Sequence, residues 1–260
     1  MSVLPGAEPV DLAGGPVGVL LCHGFTGTPQ SVRPWAEHLA AEGLTVRAPL
    51  LPGHGTRWQD LARTTFADWY GEVERAFDDL RGRCTQVFVG GLSMGGALAL
   101  RLAELRREQV AGLVVVNTSL ATERRLARLG PLLSRVVPSL PGVAGDLARP
   151  DVHELAYDRM PLRAFVSLQQ AWPVVRRDLP LVSCPVLAYR SRVDHVVEPL
   201  SGRLLAEGLA GGPAAGRVEE RVLERSFHVA TLDHDAPEIF AGTAAFVRAH
   251  AGVPEQAGRA

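Results

Sequence analysis

Gly91-Leu92-Ser93-Met94-Gly95 follows directly on the apolar run Val87-Phe88-Val89 and leads at once into Ala97-Leu98-Ala99-Leu100-Arg101-Leu102. The order strand, tight turn, helix separates a serine held out for chemistry from a chance G-x-S-x-G in a glycine-rich loop. Such a turn strains the serine backbone and brings neighbouring chain close, so small residues are needed on both sides. Gly90, Gly91, Gly95 and Gly96 supply the room. Ser93 is therefore the candidate nucleophile, and a merely structural turn is the weaker reading.

A serine hydroxyl is a poor nucleophile until a base takes its proton, and the base needs an acid to hold its tautomer. Where a parallel sheet carries such an elbow, acid and then histidine follow downstream in the chain. Asp194 lies in Arg190-Ser191-Arg192-Val193-Asp194-His195-Val196-Val197, just beyond the apolar run Val186-Leu187-Ala188-Tyr189. His228 lies in Ser226-Phe227-His228-Val229, after the alternating stretch Arg217 to Leu223. Both fall at the carboxyl ends of predicted strands, where open α/β sheets build their sites. Rivals are weaker. His195 precedes a strand and helix rather than following the last strand. Asp233 and His234 read as caps of the final helix. Glu198 beside Pro199 reads as a first-turn acid, and His38, His153 and His250 read as surface residues.

A developing oxyanion needs two backbone N–H donors. One comes from the residue after the nucleophile, Met94; the other comes from the loop after the first long buried strand. Val17-Gly18-Val19-Leu20-Leu21-Cys22 reads as that strand and His23-Gly24-Phe25-Thr26-Gly27 as that loop, which sets the amide of Phe25 opposite that of Met94.

On these residues the chain resembles the α/β-hydrolase superfamily, and more narrowly the bacterial carboxylesterase and monoacylglycerol lipase family. The resemblance runs from about Val17 to Val247. It is carried by His23-Gly24-Phe25-Thr26-Gly27-Thr28-Pro29, Leu51-Pro52-Gly53-His54-Gly55-Thr56, the elbow, Ser191 to Val197, and Ser226-Phe227-His228-Val229-Ala230-Thr231-Leu232-Asp233. It implies cofactor-free serine hydrolysis of short- to medium-chain carboxylic esters, monoacylglycerols included, with no metal. Family members also carry Glu-Leu-Ala-Tyr in an insertion, matched here by Glu154-Leu155-Ala156-Tyr157. Thioesterase, acyltransferase and perhydrolase chemistry share the nucleophile. Epoxide hydrolase and dehalogenase chemistry require an aspartate where Ser93 stands. A non-catalytic binding module would show a lost triad member, and all three candidates are present.

At 260 residues the chain suits one α/β domain with a substantial core. A net charge of −1 argues against nucleic-acid or anionic-membrane partners; a small-molecule ester as the expected partner is what the resemblance implies. Cys22, Cys84 and Cys184 lack metal-ligand spacing and read as buried thiols. No charged start with a following apolar segment and no run of transmembrane length appears, so a cytoplasmic protein without integral membrane association is expected.

Strands are predicted near Gly18–Cys22, Thr45–Ala48, Gln86–Gly90, Leu113–Asn117, Pro185–Arg190 and Val218–Leu223. Helices are predicted near Val32–Glu42, Phe66–Leu80, Gly95–Leu105, Pro199–Leu209 and Pro237–His250. This is a mostly parallel sheet with helices on both faces, an abbreviated antiparallel start and a disordered tail after Gly252. The alternation breaks between about Ser119 and Leu179, in a stretch with Pro131, Pro138, Pro141, Pro150 and Pro161 and the apolar residues Leu126, Leu129, Leu132, Leu133, Val136 and Val137. A long insertion after the fourth parallel strand reads as a cap over Ser93. Within it Glu154 either accepts hydroxyls of a glycerol head group or is a solvated helix-surface acid paired with Arg159 or Arg163. His54 either lines the site or pins its loop, and pinning is the better reading.

Overall fold

The computed structural model describes residues 2–124, 127, 129–142 and 145–252. Leu126 and the tail beyond Gly252, on which expectations were placed, lie outside them. The chain runs β1 (Val10–Leu12), β2 (Val17–Cys22), α1 (Arg33–Ala41), β3 (Thr45–Ala48), α2 (Trp58–Leu61), α3 (Phe66–Arg81), β4 (Gln86–Leu92), α4 (Met94–Arg106) and β5 (Gly112–Val116). It continues through α5 (Gly130–Leu133), β6 (Ser139–Pro141), β7 (Arg159–Pro161), α6 (Leu162–Asp178), β8 (Val186–Ser191), α7 (Leu200–Ala210), β9 (Val218–Leu223) and α8 (Ala236–His250). One seven-stranded sheet has the order β1-β3-β2-β4-β5-β8-β9. β1 pairs antiparallel with β3, and every other pairing in that sheet is parallel. The abbreviated antiparallel start is thus a single three-residue strand.

Period-two alternation sorts the core into two layers, because successive side chains of a strand point to opposite faces. Leu20, Cys22, Val87, Val89, Leu113 and Val115 pack under α3, α4, α6 and α7. Val19, Leu21, Phe88, Val114, Val116 and Leu187 pack under α1 and α8. A strand covered on both faces reads as a continuous apolar run, as in Leu113-Val114-Val115-Val116. Among the described residues no helix is long and apolar enough to cross a membrane.

The segment between β5 and β8 differs in part from the expected cap. α6 buries Ala164, Leu168, Trp172 and Val175 in the same core layer as α4, so it serves as a crossover helix of the sheet. The insertion proper is the stretch before it, with α5 and the β6–β7 ribbon, whose strands pair antiparallel. The periodicity of α6 was obscured by Pro161 and by Pro173 inside the helix.

α4 carries a buried acid facing α6. Arg101 Nη1 donates to Glu104 Oε2 at 2.9 Å and to Asp178 Oδ2 at 2.7 Å. Burial pushes the Glu104 carboxyl up to about 8 despite the opposing pull of Arg101. A folded pKa above the unfolded value means that Glu104 stabilises while it holds its proton. That contribution is complete below about pH 4.5 and is lost as pH rises through about 8. Glu104→Gln should therefore gain stability relative to wild type as pH rises from 5 to 9, measured as Tm. A Tm difference that stays constant over that range would refute the assignment.

Candidate active site

The elbow is the sharpest feature of the backbone. Ser93 has φ 58° and ψ −116°, in a region that side-chain-bearing residues rarely adopt. A Cβ at Gly95 would lie 2.1 Å from the carbonyl oxygen of Cys22, and one at Gly91 would lie 2.3 Å from the Gly95 carbonyl. Only glycine permits that approach, which drives the start of α4 against the end of β2. The Ser93 amide donates to Val116 O at 2.9 Å, and the Ser119 amide donates to Ser93 O at 3.2 Å. The strained turn is thereby bonded to β5 and to the segment after it.

The structure brings Asp194 and His228 together. His228 Nδ1 lies 2.8 Å from Asp194 Oδ2. The other carboxylate oxygen accepts the amides of Val196 and Val197, each at 2.8 Å. Burial alone would raise the Asp194 pKa, yet the bond to His228, the imidazole charge and the two amides outweigh it and hold the carboxyl below its ordinary value. For His228, burial favours the neutral ring, but Asp194, Glu154 and Asp146 together raise its pKa above the ordinary histidine value.

Ser93 and His228 both line a cavity of about 660 Å³, together with Gly24, Phe25, Glu154, Leu133, Leu140, Met160, Phe165 and Trp172. Among the described residues neither the Ser93 hydroxyl nor His228 Nε2 is taken up by another group, and catalytic hydrogen bonds are often open in a substrate-free site. A Cβ on Gly24 would sit 3.6 Å from Ser93 Cβ, so the loop after β2 abuts the serine. Phe25 is on that loop and Met94 opens α4, where first-turn amides have no partner within the helix.

Two buried histidines beside the loop after β2 favour the neutral ring. His23 Nε2 accepts the Leu51 amide at 3.2 Å, so its proton is on Nδ1, which donates to Gly24 O at 2.9 Å. Burial lowers its pKa to about 4. His54 packs edge-on against His23 at 4.9 Å and also against Trp69, and burial holds it well below the ordinary value. It is buried, is not among the cavity-lining residues, and its Nδ1 lies 3.2 Å from the Pro52 carbonyl of its own loop.

The rival residues lie elsewhere, and the readings of Asp233, Glu198 and Glu154 are corrected. His195 is 56% exposed and its Nδ1 pairs with Asp146 at 2.8 Å, away from the cavity. Asp233 does not cap α8. It is buried and accepts the amides of Ala148, Arg149, Phe227 and His234, at 2.7, 3.1, 2.9 and 2.8 Å. Glu198 lies before α7 rather than in its first turn, and accepts Thr122 Oγ1 at 3.1 Å. Glu154 is not on a helix and pairs with neither arginine: Arg159 bonds Ser139, and Arg163 bonds the Ser134 carbonyl. Its Oε2 accepts the Gly145 amide at 3.0 Å, and a Cβ on Gly27 would strike its Oε1 at 2.9 Å. Burial raises the Glu154 pKa, opposed by the Gly145 amide and by His228. Of the three cysteines Cys22 and Cys184 are buried and Cys84 is half-buried; all are free.

Two supporting residues escaped sequence reading. Asn117, at the end of β5 with φ 45°, donates to Ser191 Oγ at 2.9 Å and to His228 O at 2.8 Å, and accepts the Ser191 amide at 2.8 Å. An asparagine tolerating positive φ just after a buried strand was the available signal. The other is Asp146, whose partners are described below.

A sheet of this order, an elbow serine and an acid–histidine pair on the strand ends define an α/β-hydrolase. The family model Hydrolase_4, described as serine aminopeptidase, S33, matches residues 17–234, and the chain belongs to that family. It is 42% identical over 254 residues to a thermostable monoacylglycerol lipase of Bacillus sp. (strain H-257), covering 96% of this chain and 98% of that one. It is 25% identical over 234 residues to a carboxylesterase of Bacillus subtilis (strain 168), covering 88% and 91%. Among solved structures, one from work on the metagenome-derived lipolytic enzymes LipS and LipT superposes with a TM-score of 0.91 at 40% identity, covering 96% of this chain and 100% of that one. A Paleococcus ferrophilus monoacylglycerol lipase shares the fold, with a TM-score of 0.79 at 20% identity and coverage of 96% and 100%.

Asn117→Ala should leave the Ser191 amide and the His228 carbonyl short of a buried partner, costing about 2–3 kcal/mol and lowering Tm by roughly 4–12 °C. An unchanged Tm in thermal unfolding would remove Asn117 from this supporting role.

Proposed function

We propose that the protein hydrolyses monoacylglycerols and other short- to medium-chain carboxylic esters through an acyl-enzyme on Ser93. The observation that carries the reading is the Asp194–His228 pair and Ser93 meeting at one largely apolar cavity. His228 Nε2 takes the hydroxyl proton as Ser93 Oγ attacks the ester carbonyl. Asp194 keeps the other ring proton on Nδ1 and stabilises the imidazolium. The amides of Phe25 and Met94 receive the oxyanion. The proton then passes from His228 to the leaving alcohol, and a water activated by the same histidine releases the acid.

The insertion, read as a cap, would hold the acyl chain along Leu133, Leu140 and Met160, with Phe165 and Trp172 of α6 completing the wall. Each buried methylene contributes about 0.8 kcal/mol. Glu154, on the same cavity wall, would accept the glycerol hydroxyls. Its likeness to a monoacylglycerol lipase along nearly the full chain supports this substrate. A cytoplasmic place of action belongs to the same proposal and is checked by cell fractionation.

Ser93→Ala should lose ester hydrolysis by on the order of 10⁴–10⁶-fold and with it covalent labelling by a fluorophosphonate, while Tm holds. His228→Ala should be equally inactive and His195→Ala mild. In wild type the acid limb of kcat/KM should lie above the ordinary histidine value of 6.5, because the raised His228 pKa keeps the base protonated to higher pH. Labelling that survives in Ser93→Ala would overturn the nucleophile.

Glu154→Gln should lower the kcat/KM for a monoacylglycerol relative to that for a methyl ester of the same acid by about tenfold, the worth of a hydrogen bond to a charged group. An unchanged ratio would take Glu154 out of substrate recognition, and efficient triacylglycerol cleavage would refute a cavity closed around one chain.

A further inference from the structure

The insertion reaches the catalytic histidine from outside the cavity. Asp146, on the segment just before Glu154, has a side chain only 11% exposed, and among the described residues its one side-chain partner is the imidazole of His195. Its Oδ2 accepts the backbone amide of His228 at 3.1 Å and that of His195 at 3.2 Å. Its Oδ1 takes His195 Nδ1 at 2.8 Å, and its backbone carbonyl accepts the Val229 amide at 3.1 Å. One carboxylate therefore ties together the loop that carries the acid and the loop that carries the base. The attachment is reciprocated. Asp233, from the histidine loop, accepts the amides of Ala148 and Arg149 in the insertion as well as that of Phe227.

We propose that Asp146 is a positioning residue for His228, so that the insertion sets the base of the reaction as well as covering the substrate. The inference rests on the reading of His228 as base. Its physical content has two parts. The bond to the His228 amide fixes the backbone from which the imidazole swings, and misplacement by an ångström can cost a hundredfold in rate. The carboxylate also adds negative charge beside the ring. His228 is faced by Asp194 from the loop after β8 and by Glu154 and Asp146 from the insertion, all three favouring its protonated form. His195, on the far side of Asp146, is the remaining titratable neighbour.

The test compares Asp146→Asn, Asp146→Glu, His195→Ala and His228→Ala with wild type, on p-nitrophenyl esters across the pH range, with Tm measured in parallel. Asp146→Asn removes the charge and one acceptor. Its acid limb of kcat/KM should move to lower pH, its plateau kcat should fall about tenfold or more, and its KM should stay within about twofold. Asp146→Glu keeps the charge but displaces it, so its limb should stay near wild type while kcat falls. His195→Ala should retain most activity. A wild-type kcat and limb in Asp146→Asn would overturn the proposal, as would a loss that His195→Ala reproduces in full. If the Asp146 variants fail to fold, hydrogen exchange on wild type decides: the His228 amide should be protected, and fast exchange there overturns the proposal. Activity retained in His228→Ala would instead overturn the reading of the base.

Discussion

The backbone of Ser93 is held in a conformation it would not choose, and the molecule is arranged around keeping it there. Two glycines let α4 start in contact with the end of β2, where a methyl group at Gly95 would lie 2.1 Å from a carbonyl oxygen. The strain, of order 1–3 kcal/mol for a residue of this kind, persists because the surroundings over-determine it. The Ser93 amide is bonded to β5, and α4 is buried nearly all round between the sheet, α3 and α6. A hydroxyl held on so stiff a support points into the cavity without needing a bond of its own to stay there.

The charged groups around that hydroxyl follow a different logic. The carboxylates of Asp146 and Asp233 take up backbone amides from other loops and act as brackets between chain segments, whereas Asp194 takes up two amides of its own loop. Amide dipoles suit this task because they stabilise a carboxylate without adding a cation that would compete with the imidazole for it. Glu154 differs: among the described residues its carboxylate accepts a single amide, that of Gly145. Asp194 consequently stays ionised beside a histidine that holds its proton more firmly than usual.

Much of this was legible in the sequence, and the reason is locality. The elbow, the loop after β2 and the strand ends carrying Asp194 and His228 are each short patterns whose neighbours in sequence are their neighbours in space. Every strand predicted from an apolar run is present, Leu113-Val114-Val115-Val116 being the plainest. What escaped is what the fold assembles from afar. Asn117 reaches a loop 111 residues on, and Asp146 reaches one 82 residues on. Asp233 looked like a helix cap because caps are the commonest use of an aspartate before a helix, while its actual partners Ala148 and Arg149 stand 85 and 84 residues upstream. α6 was assigned to the insertion because its prolines mask the spacing that would otherwise mark a core helix.

The bracket formed by Asp146 and Asp233 also bears on when the enzyme becomes an enzyme. Contacts closed over some eighty residues are late and slow to form, since loop-closure entropy must be met before they return anything. β4 and β5 pair across a much shorter stretch of chain, Phe88 with Gly112, so the strand that leads into Ser93 has a partner close by in sequence. On the proposed mechanism, Ser93 is then in place while its base, His228, still awaits the carboxyl-terminal quarter of the chain. During synthesis, on that mechanism, the nascent polypeptide would carry a formed serine ahead of its base, and hydrolytic competence would wait for the last loop before α8.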